Sequence, residues 1–304
     1  MADHQRRRQG AVLTPGTTEV HDGQAWTPSG VEQARRAFRR RQQRRSWLIA
    51  AASTMALGVA AVLAITSAPG WPRVQRSFFD PATAWRALPD VATGLWLNVR
   101  LFLICGACIV VLGLVIAVLR TLRGPVLWPL RALATVYVDL FRGLPLILVL
   151  LLIGFGVPGL RLSGVTNSVV ILGGAALVLS YSAYVAEVFR AGIESIHPSQ
   201  RAAARALGLS GAQTMRHVVL PQAVRRVVPP LLNDFVSLQK DSGLVSILGA
   251  ADAIQSAQII TARTFNFTPY VVAGLLFVAL TVPMARLTDA VSRRYGYLPG
   301  GGLL

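Results

Sequence analysis

Residues 101–119 run between Arg100 and Arg120 without one charged side chain. A helix needs ~20 consecutive apolar residues, at about 1.5 Å each, to cross the hydrocarbon of a bilayer. Lipid supplies no partner for backbone N–H and C=O groups, so an unbroken apolar run of this length is read as a helix that satisfies them internally. Further long, mainly apolar stretches, most of them holding a few charged residues, occur at about 47–67, 130–155, 168–191, 224–248 and 269–287. The chain is therefore predicted to be an all-α integral membrane protein with about six transmembrane helices. Composition agrees, since 53% of the 304 residues are hydrophobic, 14% are charged and the mean hydropathy is +0.53. A soluble domain would struggle to keep that balance in solution.

Charge then sets the topology. The formal net charge is +17 and the pI is near 11.5, values that on a soluble chain would point to nucleic acid. Location argues otherwise. Arg35, Arg36, Arg39, Arg40, Arg41, Arg44 and Arg45 precede the first span, Arg120 and Arg123 follow the second, and Arg293 and Arg294 follow the last. Arginines crowding span ends are the positive-inside pattern, with added attraction to anionic membrane lipid. No basic face interleaved with aromatic residues accompanies them, so nucleic acid is excluded as a partner. Six spans with basic ends place both termini in the cytoplasm of a multi-pass cell-membrane protein.

Taken in order, residues 1–45 read as a disordered, basic cytoplasmic tail whose last part turns helical, and 46–68 as an extra N-terminal transmembrane helix. This first span is an uncleaved anchor rather than a signal peptide, because a long tail precedes it and no small-residue cleavage site follows. Residues 69–92, with four prolines and four aromatic residues, form an external segment partly along the headgroups. The transmembrane domain occupies 93–292, and 293–304 form a C-terminal cytoplasmic tail. No inverted duplication is visible.

The fifth span is the least lipid-like. Pro229 and Pro230 should kink its start, and Asn233, Asp234, Gln239, Lys240 and Asp241 need shelter by protein or a wet cavity. Arg142 in the third span and Glu187 in the fourth stand at similar depth and are expected to form an ion pair. Lys240 and Asp241 are expected to do the same. Asn98, Arg142, Asn233 and Gln239 are candidates for a polar substrate path, as a cation and amide donors would suit a zwitterionic or anionic solute.

Between the fourth and fifth spans, residues 197–222 form a polar, basic interlude with helical spacing. Pro198 and Ser199 open a first short helix over Ala202, Ala203, Ala204, Arg205 and Ala206. Gly208 closes it, where a left-handed residue is cheapest. Ser210 caps a second helix, Gln213 completes a capping box, and Pro221 ends the unit. Leu207, Leu209, Val218, Val219 and Leu220 can pack this elbow against its own bundle, in which case the alanines are simple helix filler.

Ala202-Ala203-Ala204, then Gly208, then Val218-Val219-Leu220-Pro221 resembles the EAA loop of ABC importer permeases. Residues 183–193, AYVAEVFRAGI, 238–247, LQKDSGLVSI, and 141–145, FRGLP, resemble the polar amino acid subfamily of glutamate and glutamine permeases. The likeness covers roughly 94–294. Ala202 stands where the family has glutamate; a glutamate there, three residues after Ser199, would complete a capping box for the first short helix. The resemblance implies a type I importer permease fold and a coupling surface of Ala202, Ala203, Ala204, Arg205, Ala206, Gly208 and Leu209. It further implies two ABC ATPase subunits, a second permease subunit, identical or different, and an external substrate-binding protein.

Catalysis is not expected of this chain. Its one lysine, Lys240, is followed by Asp241 and follows no glycine run, which excludes a P-loop. The histidines at 4, 21, 197 and 217 have no metal-ligand spacing, and no serine stands in a GxSxG elbow. Cys105 and Cys108 lie inside an apolar run and read as buried small hydrophobes rather than a metal or redox pair. No cofactor or metal is expected. A stand-alone, ion-coupled secondary amino acid transporter is the main competing reading, ahead of a lipid-modifying enzyme and a lipid-binding scaffold.

Overall fold

Apolar runs too long for soluble helices become helices that shed their charged residues to the ends, and the chain builds its described part from little else. The computed structural model describes residues 29–121 and 124–294. The expected tails at 1–28 and 295–304, Arg123, and the side chains of Arg36 and Arg40 lie outside the described residues. The chain divides after Trp71 into two units.

In the first unit, α1 (Gly30–Thr66) is one continuous helix capped by Ser29, whose side chain accepts from Glu32 N. The basic segment and the first span are thus one element, and residues 41–66 of it are long and apolar enough to cross a membrane.

The second unit begins at Pro72, within the short amphipathic α2 (Trp71–Phe78), and continues into α3 (Pro81–Thr121). At about 1.5 Å per residue α3 is longer than a bilayer core requires. It absorbs residues 81–92, which the sequence reading had assigned to an external segment. Pro89 does not break it, because Trp85, whose carbonyl loses its donor, lies on an exposed face. The remaining elements are α4 (Trp128–Gly143), α5 (Leu146–Gly159), α6 (Val169–Glu194), α7 (Pro198–Ala206), α8 (Gly211–Thr214), α9 (Leu220–Asp241), α10 (Ala253–Thr264) and α11 (Thr268–Arg294). A π-helical turn, Met215–Val219, joins α8 to α9, and a 3-10 turn, Ser242–Leu248, extends α9.

Four helices are long and apolar enough to span, and two bent pairs raise the number to six among the described residues. The expected third span is broken rather than continuous, with α4 and α5 meeting at 106°. Pro145 has no N–H to donate to Phe141 O and forces Leu144 into extended backbone, φ −92° and ψ 134°. The fifth span continues past Leu248, turns 46° through Gly249 in the left-handed region (φ +85°), and resumes as α10. The pair Pro229-Pro230 lies within α9, which runs unbroken from Leu220 to Asp241.

The core is organised around α6. Leu177, Val185, Ile109, Leu150 and Leu238 bring α3, α5, α6 and α9 together. A second cluster, Ile116, Val138 and Ala186, seats α4 against α3 and α6, and a third, Val91, Ala257 and Val272, seats α10 and α11 on α3. Cys105 is buried in the first cluster, as expected; Cys108, one turn on, is exposed instead, at the margin of the buried face.

Candidate functional site

Two helices with polar residues at helical spacing face each other across a cavity of about 260 Å³. From α6 come Ser180, Tyr181 and Tyr184; from α9 come Asp234, Ser237 and Asp241, spaced i, i+3, i+7 along one face; Leu144 and Leu146 close it at the α4–α5 break. Tyr181 Oη donates to Asp241 Oδ2 at 2.6 Å. Asp234 Oδ2 and Ser180 Oγ are buried without a protein partner. A carboxylate oxygen left so inside a cavity leaves acceptor capacity for something that enters.

Beside the cavity lies a charge cluster. Arg142 Cζ stands 5.9 Å from the Tyr184 ring centre, and Tyr184 Oη donates to the Arg142 carbonyl at 3.3 Å. The expected pairing of Arg142 with Glu187 is found only at its fringe, at 3.9 Å. Glu187 is instead held by Arg120 from α3 at 2.7 Å and by Arg190 one turn along α6, which also pairs with Glu194. Arg120, read from sequence only as a topology marker, is therefore the tie between α3 and α6. Arg142, in the last turn of α4, is 42% exposed.

The other candidates separate. Asn98 is buried and bonds Asp252 Oδ2 at 3.1 Å while accepting from Ala253 N at 3.2 Å, so it staples α3 to α10 rather than lining a path. Gln239 is buried against α11, accepting from Thr281 Oγ1 at 2.6 Å. Asn233 is exposed, and outside the cavity lining. The expected Lys240–Asp241 pair is not formed among the described residues: adjacent helix positions point apart, Lys240 is exposed, and Asp241 bonds Tyr181. Sequence reasoning missed Ser180, Tyr181, Tyr184 and Ser237. The signal was available in the i, i+3, i+7 spacing of Asp234, Ser237 and Asp241.

The elbow forms as two short helices about Gly208, whose φ is +81°. Ser210 and Gln213 make the reciprocal capping box, at 3.3 and 2.8 Å. Two expectations are corrected. The first helix is capped by His197, whose Nδ1 accepts from Ser199 N at 3.2 Å, so Pro198 is its first residue and Ala202 lies beyond the position where a capping-box glutamate acts. Pro221 does not end the unit; it sits in the first turn of α9, where a missing N–H is tolerated once the π turn has shifted the bonding. Ala202, Ala203, Arg205, Ala206 and Gly208 are exposed and Leu209 half-buried, whereas Ala204 is buried.

Broken and unbroken spans around a polar cavity, with an ordered elbow of small residues at one end, define a multi-pass membrane permease of the ABC importer type. The chain belongs to the family described as binding-protein-dependent transport system inner membrane component, whose model it matches over residues 109–297. It is 38% identical over 187 residues to the probable glutamine ABC transporter permease protein GlnM of Bacillus subtilis (strain 168), covering 60% of this chain and 83% of that one. It is 32% identical over 213 residues to the arginine transport system permease protein ArtQ of the same organism, covering 68% and 93%. Among solved structures, an amino acid ABC transporter with histidines matches with a TM-score of 0.66 at 33% identity, over 71% of this chain and 98% of that one.

Proposed function

We propose that this chain is the permease subunit of an ATP-driven importer for a polar amino acid, and that the cavity between α6 and α9 holds the solute. The observation that carries the reading is the pairing of Asp234 and Asp241 on one face of α9, with Asp234 Oδ2 lacking a protein partner. Carboxylates accept from the ammonium group common to amino acids, and Arg142 beside Tyr184 is positioned to receive the carboxylate end. Of glutamate and glutamine, the acidic lining favours glutamine, since a second negative charge would meet two carboxylates. The same lining supports a second reading, a basic amino acid whose side chain carries the extra positive charge.

Hydrolysis of ATP belongs, in this reading, to two separate ABC ATPase subunits docked on the exposed small residues of the elbow. A second permease copy or a related chain and an external binding protein complete the assembly. The elbow and both termini then lie in the cytoplasm, and α1, which precedes the family match, is an added span with a basic tail.

Reconstitution with the ATPase and binding protein tests this. Asp234→Asn should lower uptake about tenfold or more while leaving assembly intact, as expected when a charge-assisted contact is lost. Uptake equal to wild type would remove the cavity from the path. Competition by unlabelled glutamine, arginine and glutamate orders the solutes. Uptake by the purified chain without nucleotide would replace the reading with that of an ion-coupled transporter.

A further inference from the structure

The last carbonyls of a helix have no partner within it and carry partial negative charge. At the end of α6 two of them are taken by arginines from different elements. Arg201 of α7 donates through Nη2 to Ile193 O at 2.9 Å, and Arg226 of α9 donates through Nη1 to Ser195 O at 2.6 Å. Beneath them, α6 and α9 touch closely: a Cβ on Gly192 would collide with Val227 and lie 3.5 Å from Ala223 O. Ile196, Val219 and Ala223 fill the space between with apolar contact. The elbow also runs into α9 without interruption, as Leu220 N bonds Met215 O and Gln222 Nε2 bonds Val218 O at 2.9 Å.

We propose that Arg201 and Arg226 are positioning residues, the first latching the elbow to the end of α6 and the second tying that same end to α9. Displacement of the elbow then moves both polar walls of the cavity as one block. α6 carries Ser180, Tyr181 and Tyr184 and α9 carries Asp234, Ser237 and Asp241, so the latch converts a push on small exposed residues into movement of the lining. Without it, α7 could swing on the connections at 195–197 and 207–210 and leave the α6 wall in place. This deepens the importer reading and rests on it.

The complex with ATPase and binding protein, in proteoliposomes, provides the test. Arg201→Gln and Arg226→Gln should retain the ATPase at the wild-type ratio and still hydrolyse ATP. Uptake per ATP hydrolysed should fall about tenfold, the scale on which residues along a coupling route act. Arg226→Lys should recover part of it, because an ammonium can donate to the same carbonyl. An unchanged ratio of uptake to hydrolysis overturns the latch, and so does loss of the ATPase from the Gln variants alone. Failure of the wild-type chain to bind any ATPase sinks the importer reading instead. A measurement that keeps both arginines uses spin labels at Ala191→Cys and Gln200→Cys, both exposed, with Cys105 and Cys108 replaced by serine. One distance peak common to the nucleotide-free and ATP-bound complex supports the block, and a peak that moves overturns it.

Discussion

The two interrupted spans are broken by different means and held by different forces. Between α4 and α5 the interruption is local: Pro145 withholds an N–H, Leu144 is extended, no side chain caps the start of α5, and the end of α4 receives one long bond, 3.3 Å from Tyr184 Oη to the Arg142 carbonyl. Apart from that bond, the 106° bend is held by apolar packing of Phe141, Leu144 and Leu146 against the core. Between α9 and α10 the bend is smaller, 46°, but bonded across the bundle. Asp252 caps α10 by accepting from Gln255 N at 2.8 Å, and Asn98 of α3 bonds both Asp252 Oδ2 and Ala253 N. Directional bonds in a buried joint resist rearrangement, whereas dispersion contacts tolerate sliding. The proline break borders the cavity and is expected to yield first; the stapled break is expected to hold as a frame.

The largest expected effect comes from removing the frame. Gly94 lets α3 approach the start of α10 so closely that a Cβ there would lie 2.6 Å from Ala253 N and collide with the Asp252 backbone. Backbone cannot swing aside as a side chain can, so Gly94→Leu should abolish stable expression of the folded chain, read as loss of the monodisperse peak in detergent. Normal yield would mean that the joint is loose. Asn98→Ala should act next, leaving Asp252 Oδ2 and Ala253 N buried with one bond fewer each. A loss of about 2 kcal/mol is expected, between the cost of unsatisfied groups in soluble cores and the smaller values typical of membrane helices. Thermal unfolding in detergent checks it, and an unshifted midpoint would put the two breaks on an equal footing.

The contrast between the breaks also marks what could be read from the chain. Span number and order were legible because apolar length is nearly all that lipid demands of a helix. The capping box of Ser210 and Gln213 and the turn at Gly208 were legible because both rest on local backbone chemistry. Hydropathy is blind to the break at Leu144–Pro145, since both residues belong to the apolar run they interrupt. It missed α10 because Gln255, Ser256, Gln258 and Arg263 dilute the pattern of a helix whose Ala253 and Ala257 are buried on α3. Asn98 looked like a path residue because polarity within a span signals either a passage or a joint, and only the partner across the bundle tells them apart. The cavity was hidden for the complementary reason: tyrosines and serines on α6 pass as ordinary span residues until α9 is set opposite.

The smallest effect, and the one that probes compliance most directly, is expected from Pro145→Ala. Alanine restores a donor for Phe141 O and releases Leu144 from its restriction to extended backbone. Loss of the ring also frees the unfolded chain, so stability should fall by only about 0.4–1 kcal/mol. If local backbone makes this bend and packing merely supports it, the angle should then fluctuate. Spin labels at the exposed positions Leu133→Cys on α4 and Leu152→Cys on α5 should give a broader distance distribution in the alanine variant than with proline. The same substitution should leave labels across the stapled joint unaffected. An equally narrow distribution would show that the packing of Leu144 and Leu146 sets the angle by itself, and the cavity would then border a rigid corner rather than a yielding one.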